Sequence, residues 1–214
     1  MTTIKRGDRV EDFELPDQSG AMRTLSGLLA DGPVVLFFYP AAMTPGCTRE
    51  ACHFRDLAGE FAAVGATRVG ISADAVAKQA QFADAQRFDY PLLSDADGDV
   101  ASRFGVKRGL LGKLMPVKRV TFVIDTDRTV LEVIASAKAG KYCGIAQRLY
   151  ANRSQAGDVE IARAYAREYD PKYHQASECF AEPDAATAAY WYETILGYTP
   201  DDAEAKQRFE ELKP

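Results

Sequence analysis

The sequence predicts an α/β fold followed by a small all-α extension. Residues 34–39 form an unbroken apolar run of β-branched and aromatic side chains, which is typical of a central strand covered on both faces. A turn rich in proline and small residues follows, and from Cys47 onward apolar residues recur at helical spacing, as at Ala51, Phe54 and Leu57. Strands and helices continue to alternate up to about residue 150, as they do in βαβ units.

The other elements of this first part follow from local patterns. Residues 95–99 contain aspartates as at the start of a calcium loop, but Val100 and Val106 stand where that loop requires glycine and glutamate. We therefore interpret the segment as a turn in which an aspartate caps a short helix. The expected elements are a lead-in segment over residues 8–26, a strand over 68–72, a helix over 75–87, a strand over 90–93, a hairpin of 119–124 and 130–134, and a helix over 140–150.

Length and composition bound the organisation of the chain. Its 214 residues, of which 47% are hydrophobic, suffice for one substantial α/β domain over residues 1–150 and a smaller unit over 151–214. No apolar run approaches the roughly 18 residues of a membrane span, and the N-terminus lacks the pattern of a secretory signal. These observations predict a cytoplasmic protein without membrane contact. The net charge of −5 argues against a nucleic-acid partner.

Cys47 and Cys52 form a C-x4-C pair. Four cysteines in a chain of this length are too few for a disulfide scaffold, so the pair indicates redox or metal chemistry. Cys47 is expected on the first turn of a helix, where unpaired N–H groups and the positive end of the helix dipole stabilise an anion, here a thiolate. A cysteine that only packs would more often lie inside an element than just after a Pro-Gly turn. We therefore interpret Cys47 as a nucleophile.

Pro40, Thr44 and Cys47 stand in the spacing P-x-x-x-T-x-x-C, which resembles the active-site motif of the peroxiredoxins. Cys52 extends the match, because it resembles the second, resolving cysteine that members of the bacterioferritin-comigratory-protein or Q-type branch carry on the same helix. The resemblance covers residues 1–150 and implies a thioredoxin-like, three-layer α/β fold. It also implies the thiol-dependent reduction of hydrogen peroxide and organic hydroperoxides, with no cofactor.

Further site residues follow from the same resemblance. Arg119 resembles the arginine of the family's R-x-T/S-F segment, which reaches the peroxidatic cysteine. A guanidinium there would hold the thiolate ionised and donate hydrogen bonds to the peroxide oxygens. The resemblance assigns to the Thr44 hydroxyl hydrogen bonds with thiolate and peroxide, and to Pro40 the wall that excludes water. Glu50 is a weaker candidate that would orient Arg119, since an exposed helical glutamate is equally expected.

Helix geometry constrains the chemistry that follows peroxide reduction. On an ideal helix the Cα atoms of Cys47 and Cys52 would lie roughly 8.6 Å apart, whereas a disulfide needs less than about 7 Å. A bond between them therefore requires local unwinding. The implied cycle is attack by the Cys47 thiolate, a sulfenic acid at Cys47, unwinding, condensation with Cys52, and reduction by thioredoxin or a similar dithiol.

Zinc is the main competing interpretation of the same residues, because Cys47, Cys52 and His53 are suitable ligand types at nearly suitable spacing. A fourth ligand is needed, and no second C-x2-C or H-x3-H pair supplies it, so we predict no metal site. Cys143 and Cys179 lie on other expected helices. We interpret these two cysteines as packing residues first and as auxiliary redox thiols second.

Residues 151–214 are not covered by the resemblance and carry 13 acidic against 7 basic groups. We expect four helices there, over residues 158–169, 171–180, 183–198 and 200–212. The second half of a tetratricopeptide repeat matches the spacing of part of this region, whereas the first half fails. We interpret it as a small repeat-like appendage that docks on the basic, leucine-rich segment around residues 103–119, in the same chain or in a homodimer. The residues that carry the repeat match are Ala188, Tyr192, Ile195 and Pro200.

Two alternatives to a thiol peroxidase remain open from the sequence. A general thiol-disulfide reductase is less suitable, because the motif is C-x4-C rather than C-x-x-C. A redox-sensing scaffold that binds a protein partner through the C-terminal helices is the other alternative, and it rests on the extension alone.

Overall fold

The structure is a computed structural model that describes residues 3–108, 117–135 and 141–213. The chain divides into two compact units, residues 1–139 and 140–214. The sequence-based boundary after residue 150 differs from this division, because it falls inside a helix that belongs wholly to the second unit. The leucines at positions 110, 111 and 114, on which the extension was expected to dock, lie outside the described residues.

A mixed β-sheet forms the centre of the first unit. The strands of this unit, in order from β1 to β7, are Glu14–Pro16, Met22–Thr24, Val34–Phe38, Thr67–Ser72, Leu92–Ser94, Val120–Ile124 and Val130–Ala135. β1 and β2 form a separate antiparallel hairpin, and the order in the central sheet is β5-β4-β3-β6-β7. In that sheet β3 is parallel to β4 and β4 to β5, whereas the pairs β3/β6 and β6/β7 are antiparallel. The predicted central strand and the predicted hairpin are both confirmed.

Helices cover both faces of this sheet. Side chains alternate along β3, so Phe37 faces one layer, where its ring stacks on Phe54 at 4.5 Å, while Phe38 faces the other, where its ring packs 5.2 Å from Phe104. All five β3 residues are fully buried, as expected for a strand covered on both sides. The helices of this unit, from α1 to α5, are Leu25–Leu28, Pro45–Asp56, Ala58–Ala63, Val76–Gln86 and Asp99–Arg103.

The aspartate-rich turn before α5 is a helix cap. The two carboxylate oxygens of Asp95 accept hydrogen bonds from the backbone N–H groups of Val100 and Ala101, at 3.2 and 2.8 Å. These are amides that the start of a helix leaves without intrahelical partners. The interpretation of this segment as a capped turn is thus confirmed.

The second unit consists of helices that pack on their neighbours in the chain. Three of the four helices expected after residue 151 are present, but residues 171–180 are not helical, so that prediction is wrong. The helix before this segment ends at Asp170, whose backbone is extended (φ −71°, ψ 119°). The Asp170 carbonyl then accepts from the amides of Tyr173 and His174, and its carboxylate accepts from the amide of Lys172, which closes a single turn. Phe180 then inserts among aromatic rings of the neighbouring helices. The helices, from α6 to α9, are Lys141–Gln155, Val159–Tyr169, Ala185–Tyr198 and Ala203–Leu212.

Cys143 and Cys179 are joined in a disulfide, with their Cα atoms 4.9 Å apart. The interpretation that they serve as packing residues is therefore wrong. The physical reason is the missing helix: the irregular segment folds back onto α6, where the side-chain amide of Gln147 donates to the Cys179 carbonyl at 2.8 Å. None of the helices in the described part of the chain is long and apolar enough to cross a membrane.

Reducing this disulfide is expected to destabilise the second unit by about 2–4 kcal/mol, since the bond closes a long loop and so restricts the unfolded chain. Its cysteines are 36 positions apart. Trp191, the only tryptophan of the chain, is buried in α8 and packs on Tyr165, so its fluorescence reports on the folding of this unit. Urea unfolding of the chain and of the double variant Cys143→Ser/Cys179→Ser checks the prediction. An equal midpoint for both proteins would contradict it.

A buried ion pair also holds the second unit together. Asp170 is fully buried and accepts two hydrogen bonds from Arg208, at 2.6 and 2.8 Å, and one from the Tyr192 hydroxyl at 2.9 Å. Burial opposes ionisation of Asp170, but the bonds from Arg208, the Lys172 amide and Tyr192 outweigh it, so the net effect lowers the pKa of Asp170. The charged form is thus the one that the fold stabilises.

Replacing Arg208 by methionine is expected to cost about 3–5 kcal/mol at neutral pH, because it strands the Asp170 charge in the interior. A lowered carboxyl pKa stabilises the fold above its unfolded value of about 4, and the contribution is lost as pH falls through the folded pKa. The deficit of the variant should therefore shrink below about pH 4. Urea unfolding followed by Trp191 fluorescence at several pH values measures this loss of stability. Glu211→Gln is the control, because Glu211 also contacts Arg208 but its carboxylate is exposed. Equal losses in both variants would contradict the account.

Candidate active site

The site begins where β3 ends and α2 starts. Tyr39 continues the sheet, since its amide donates to the Ile71 carbonyl at 3.0 Å, and the turn that follows is fixed by a hydrogen bond of 2.6 Å from the Ala42 amide to the Asp74 carboxylate. Pro45 occupies the start of α2, where the missing N–H costs nothing. Cys47 therefore lies in the first turn of the helix, as the sequence predicts.

Cys47 is a free, buried cysteine with 2% of its surface exposed. Its Sγ lies 3.2 Å from Nη2 of Arg119, which donates to it from the position just before β6. The guanidinium and the N-terminus of α2 both present positive charge to the sulfur. The pairing of β3 with β6 thus brings together Cys47 and Arg119, which are 72 positions apart in the sequence.

Glu50 orients the guanidinium. It lies one turn after Cys47 on the same face of α2, and its carboxylate contacts Nη1 of Arg119. The Glu50 side chain is only 4% exposed, and that of Arg119 is 22% exposed. The glutamate that the sequence left as an equally expected surface residue is therefore buried beside the arginine. Nη1 of Arg119 donates to the Glu50 carboxylate, and Nη2 donates to the Cys47 sulfur.

Thr44 and Pro40 flank this group. Thr44 is the residue immediately before α2, and its hydroxyl donates to the Ala41 carbonyl at 3.0 Å rather than to Cys47, which differs from the contact implied by the resemblance. This bond closes the turn locally, as serine and threonine hydroxyls often do. Pro40 is buried at the beginning of the turn, as expected for a residue that excludes water.

Cys52 lies further along α2 and is half-buried and free. Its thiol donates to the side-chain oxygen of Gln86 at 3.4 Å, at the C-terminal end of α4. The helix is continuous from Pro45 to Asp56 and so contains both cysteines in regular geometry. The structure thus presents the reduced pair that the helix geometry predicts, with no disulfide between Cys47 and Cys52.

A buried polar cluster behind the turn was missed by reasoning from the sequence. The Asp74 carboxylate, which holds the Ala42 amide, also accepts from the Ser72 hydroxyl at 2.8 Å, and Ser72 accepts from the side-chain amide of Gln79 at 3.0 Å. Gln79 in turn accepts from the Tyr39 hydroxyl. The available signal was topological. Ser72 is the last residue of β4, the strand parallel to β3, and Asp74 follows it; the carboxyl ends of adjacent parallel strands meet at one edge of the sheet.

Cys47, Cys52 and His53 are the residues that a zinc site would use. In residues 3–108, 117–135 and 141–213, no group of three or more His, Cys, Asp or Glu side chains could hold a metal ion. Cys143 and Cys179, which could have supplied a further sulfur ligand, are joined to each other in the second unit.

Comparison with known proteins identifies relatives of the first unit. The profile of the AhpC/TSA family matches residues 6–133. A Mycobacterium tuberculosis protein named as a peroxiredoxin is 77% identical over 133 residues, which are 62% of this chain and 86% of that protein. Peroxiredoxin Bcp of Escherichia coli is 37% identical over 145 residues, which are 66% of this chain and 92% of that protein.

Solved structures give the same result. Peroxidoxin BcpB from Mycobacterium tuberculosis shares 71% sequence identity and a TM-score of 0.65, over 68% of this chain and 96% of that one. The bacterioferritin comigratory protein of Xanthomonas campestris, whose structure was described with its alkyl peroxide reduction activity, shares 31% identity and a TM-score of 0.59, over 65% of this chain and 91% of that one. The expected thioredoxin-like α/β fold is thereby confirmed, with the C-terminal helices as an addition to it.

Proposed function

Because this chain belongs to the AhpC/TSA family and, within it, to the Bcp branch of the peroxiredoxins, we propose that its thiol peroxidase activity uses Cys47 as the peroxidatic cysteine and Cys52 as the resolving cysteine. The observation that carries the proposal is the contact of 3.2 Å between Cys47 Sγ and Nη2 of Arg119, at the N-terminus of a helix. Two sources of positive charge converge on one buried sulfur there.

In the first step the Cys47 thiolate attacks one oxygen of a hydroperoxide. An S–O bond forms as the O–O bond breaks, and the leaving oxygen takes up a proton to become water or an alcohol, which leaves Cys47 as a sulfenic acid. Arg119 donates hydrogen bonds to the oxygens as charge moves onto the leaving one. Glu50 keeps the guanidinium in place through its contact with Nη1. Pro40 excludes water, and Thr44 contributes through the turn that positions the first helical residues.

In the second step Cys52 attacks the Cys47 sulfur. An S–S bond forms, the S–O bond breaks, and water leaves with the proton of the Cys52 thiol. The continuous α2 holds the two residues too far apart for this bond, so part of the helix must unwind first. A dithiol such as thioredoxin then reduces the disulfide by thiol-disulfide exchange and returns both cysteines to the reduced state. The tetratricopeptide-like character of the second unit, and contact with a partner or a second subunit through it, stay predictions.

A coupled assay tests the proposal. The full chain is mixed with thioredoxin, thioredoxin reductase and NADPH, and NADPH consumption is followed after the addition of hydrogen peroxide or an organic hydroperoxide. We expect consumption that depends on peroxide, on thioredoxin and on the chain together. Glutathione with glutaredoxin serves as the alternative reductant in a parallel assay. Consumption independent of peroxide, with a disulfide substrate in its place, would instead favour the disulfide reductase alternative.

A further inference from the structure

The turn between β3 and α2 is strained at one residue. Met43 has a φ of 65°, in the left-handed region that residues with side chains rarely adopt. Such a conformation persists only where the surrounding structure holds it, and it occurs preferentially at functional sites. About half of the Met43 surface is exposed, so burial of its own side chain does not hold the turn. The hydrogen bonds of its neighbours must therefore do so.

Bonds on either side of Met43 fix the turn. After it, the Thr44 hydroxyl donates to the Ala41 carbonyl, which is a contact within the turn itself. Before it, the Ala42 amide donates to the Asp74 carboxylate at 2.6 Å. This second bond reaches across 32 positions of sequence, to a residue that follows β4. Asp74 thus ties the turn to a neighbouring part of the sheet.

Asp74 is itself fixed at the ends of two strands. Its backbone amide donates to Oγ of Ser72 at 3.2 Å, and its carbonyl accepts from the Ser94 hydroxyl at 2.8 Å. Ser72 and Ser94 are the last residues of β4 and β5, the two strands that follow β3 in the parallel part of the sheet. The side chain of Asp74 is 12% exposed. It is therefore a rigid support for the turn rather than a surface carboxylate.

The polar cluster behind Asp74 has a fixed hydrogen-bond direction. The Tyr39 hydroxyl donates to the side-chain oxygen of Gln79, and burial raises the pKa of Tyr39, so that hydroxyl keeps its proton. The Gln79 amide nitrogen then donates to the Leu93 carbonyl at 2.9 Å and to Ser72 Oγ at 3.0 Å. Because a serine hydroxyl has a single proton, that of Ser72 goes to the Asp74 carboxylate, at 2.8 Å.

The two carboxylate oxygens of Asp74 have different partners. Oδ2 faces the protein interior and accepts from both the Ala42 amide and the Ser72 hydroxyl. Oδ1 accepts from the Lys78 ammonium at 2.6 Å, and the Lys78 side chain is 44% exposed. The bond that holds the turn can therefore be changed separately from the ion pair.

We propose that Asp74 is a positioning residue for peroxide reduction, whose Oδ2 holds the strained turn over residues 40–46. Held in this way, Pro40 and Thr44 form one side of the space in front of the Cys47 sulfur. This inference rests on the proposed function of Cys47 and deepens it, because it adds a residue that acts on the reaction without touching the reacting atoms.

The reaction depends on the turn because its groups come from separate elements. Arg119 reaches the Cys47 sulfur from the position before β6 and is held there by Glu50, independently of the turn. A hydroperoxide must fit between this guanidinium and the turn while it is attacked. A misplacement of about 1 Å in such an arrangement can slow a reaction by about 10²-fold. Loss of Asp74 should therefore slow the attack on peroxide and leave the thiol accessible.

Two rates measured on the full chain test the inference. Asp74→Ala releases the Ala42 amide, and we expect its rate constant with hydrogen peroxide, from stopped-flow measurement, to fall about tenfold or more. Iodoacetamide needs no shaped pocket, so the rate of Cys47 alkylation should fall by less than about twofold. Trypsin cuts after Arg49, so mass spectrometry reads Cys47 separately from Cys52. A peroxide rate constant within about twofold of the unmodified chain, or an equal fall in both rates, would overturn the inference.

Asp74→Asn is the conservative variant that should restore the reaction. Two donors face the position of Oδ2, so the amide oxygen should occupy it and keep the bond from the Ala42 amide. We expect a rate constant with peroxide within about threefold of that of the unmodified chain. An asparagine variant as slow as Asp74→Ala would overturn the inference, because the turn would then not depend on this bond.

Lys78→Ala is the matched control. It removes the ion pair at Oδ1 of Asp74, whose lysine partner is exposed, and should leave both rates within about twofold of those of the unmodified chain. A loss as large as that of Asp74→Ala would overturn the inference, since the ion pair would then carry the effect.

Asp74→Glu keeps the test decisive if circular dichroism shows that Asp74→Ala is unfolded. The glutamate keeps the charge but moves the carboxylate by one methylene away from the place that the Ala42 amide requires. We expect it to react with peroxide more slowly than Asp74→Asn, because the position of the acceptor matters more than its charge. A glutamate variant faster than the asparagine variant would overturn the inference.

The unmodified chain separates this inference from the proposed function. One equivalent of hydrogen peroxide, added before iodoacetamide, should block the alkylation of Cys47. Alkylation that peroxide does not block overturns the proposed function, and the inference with it. Alkylation that is blocked, together with an unchanged peroxide rate constant in Asp74→Ala, overturns only the inference.

Discussion

Replacing Cys47 by serine is expected to abolish peroxide reduction, with a fall in rate of about 10³-fold or more. A serine hydroxyl remains protonated at neutral pH even beside Arg119 and at a helix N-terminus, so the nucleophile is lost. The substitution changes little in the packing, because sulfur and oxygen occupy the same buried position. Stopped-flow measurement of peroxide consumption by the reduced chain checks this result.

Cys52→Ser is the matched control for that experiment. It should react with the first equivalent of peroxide at an unchanged rate, form a sulfenic acid at Cys47, and then fail to recycle with thioredoxin. Full turnover by Cys47→Ser would refute the assignment of the nucleophile. Normal recycling by Cys52→Ser would instead assign resolution to another thiol, either of the second unit or of a second molecule.

Replacing Arg119 by methionine is expected to slow the reaction with peroxide by about 10²-fold or more, since the developing charge loses its fixed donor. The variant also leaves the Glu50 carboxylate, 4% exposed, without the guanidinium that it contacts. Some destabilisation of the first unit should therefore accompany the kinetic loss. The second-order rate constant and the urea midpoint by circular dichroism measure the two effects separately.

Arg119→Lys separates the catalytic effect from the structural one. A lysine can supply the positive charge that Glu50 needs, but it is a point donor and cannot bond Glu50 and the Cys47 sulfur in the way that the two guanidinium nitrogens do. We expect the lysine variant to regain most of the stability and to remain about tenfold or more slower than the unmodified chain. An unchanged rate constant in Arg119→Met would show that this arginine takes no part in the reaction.

The sequence was most informative where local pattern and chemistry coincide. The apolar run at residues 34–38, the proline-rich turn and the helix that starts at Pro45 are each encoded locally, so the position of Cys47 on a first helical turn could be predicted. Arg119 was reachable only through the resemblance, because the pairing of β3 with β6 that brings it to the sulfur depends on the whole sheet. The burial of Glu50 depends on the same pairing.

Long-range contacts explain what the sequence did not predict. The sequence predicts a helix over residues 171–180. Instead, the Asp170 carbonyl accepts hydrogen bonds from the amides of the next turn, and Cys179 forms a disulfide with Cys143. On sequence alone, the helix expected over residues 140–150 belongs to the first domain. In the structure, helix 141–155 packs its buried face on α7, where the Tyr150 ring stacks on the Tyr165 ring at 4.7 Å. The hydrogen bond from the Tyr90 hydroxyl to the Ala51 carbonyl joins residues 39 positions apart, and local periodicity gives no sign of it.

Mapping the disulfides after a single turnover tests the central claim most directly. The full chain, with Cys47 and Cys52 reduced and the Cys143–Cys179 disulfide intact, is given one equivalent of hydrogen peroxide. Free thiols are then alkylated, and the chain is digested with trypsin without reduction. Arg49 lies between the two cysteines, so the protease cuts between them and only a disulfide can hold the two peptides together. The account predicts a peptide pair that joins Cys47 to Cys52, with Cys143 and Cys179 still joined to each other. Cys47 left unmodified, or linked to Cys143 or Cys179, would contradict it.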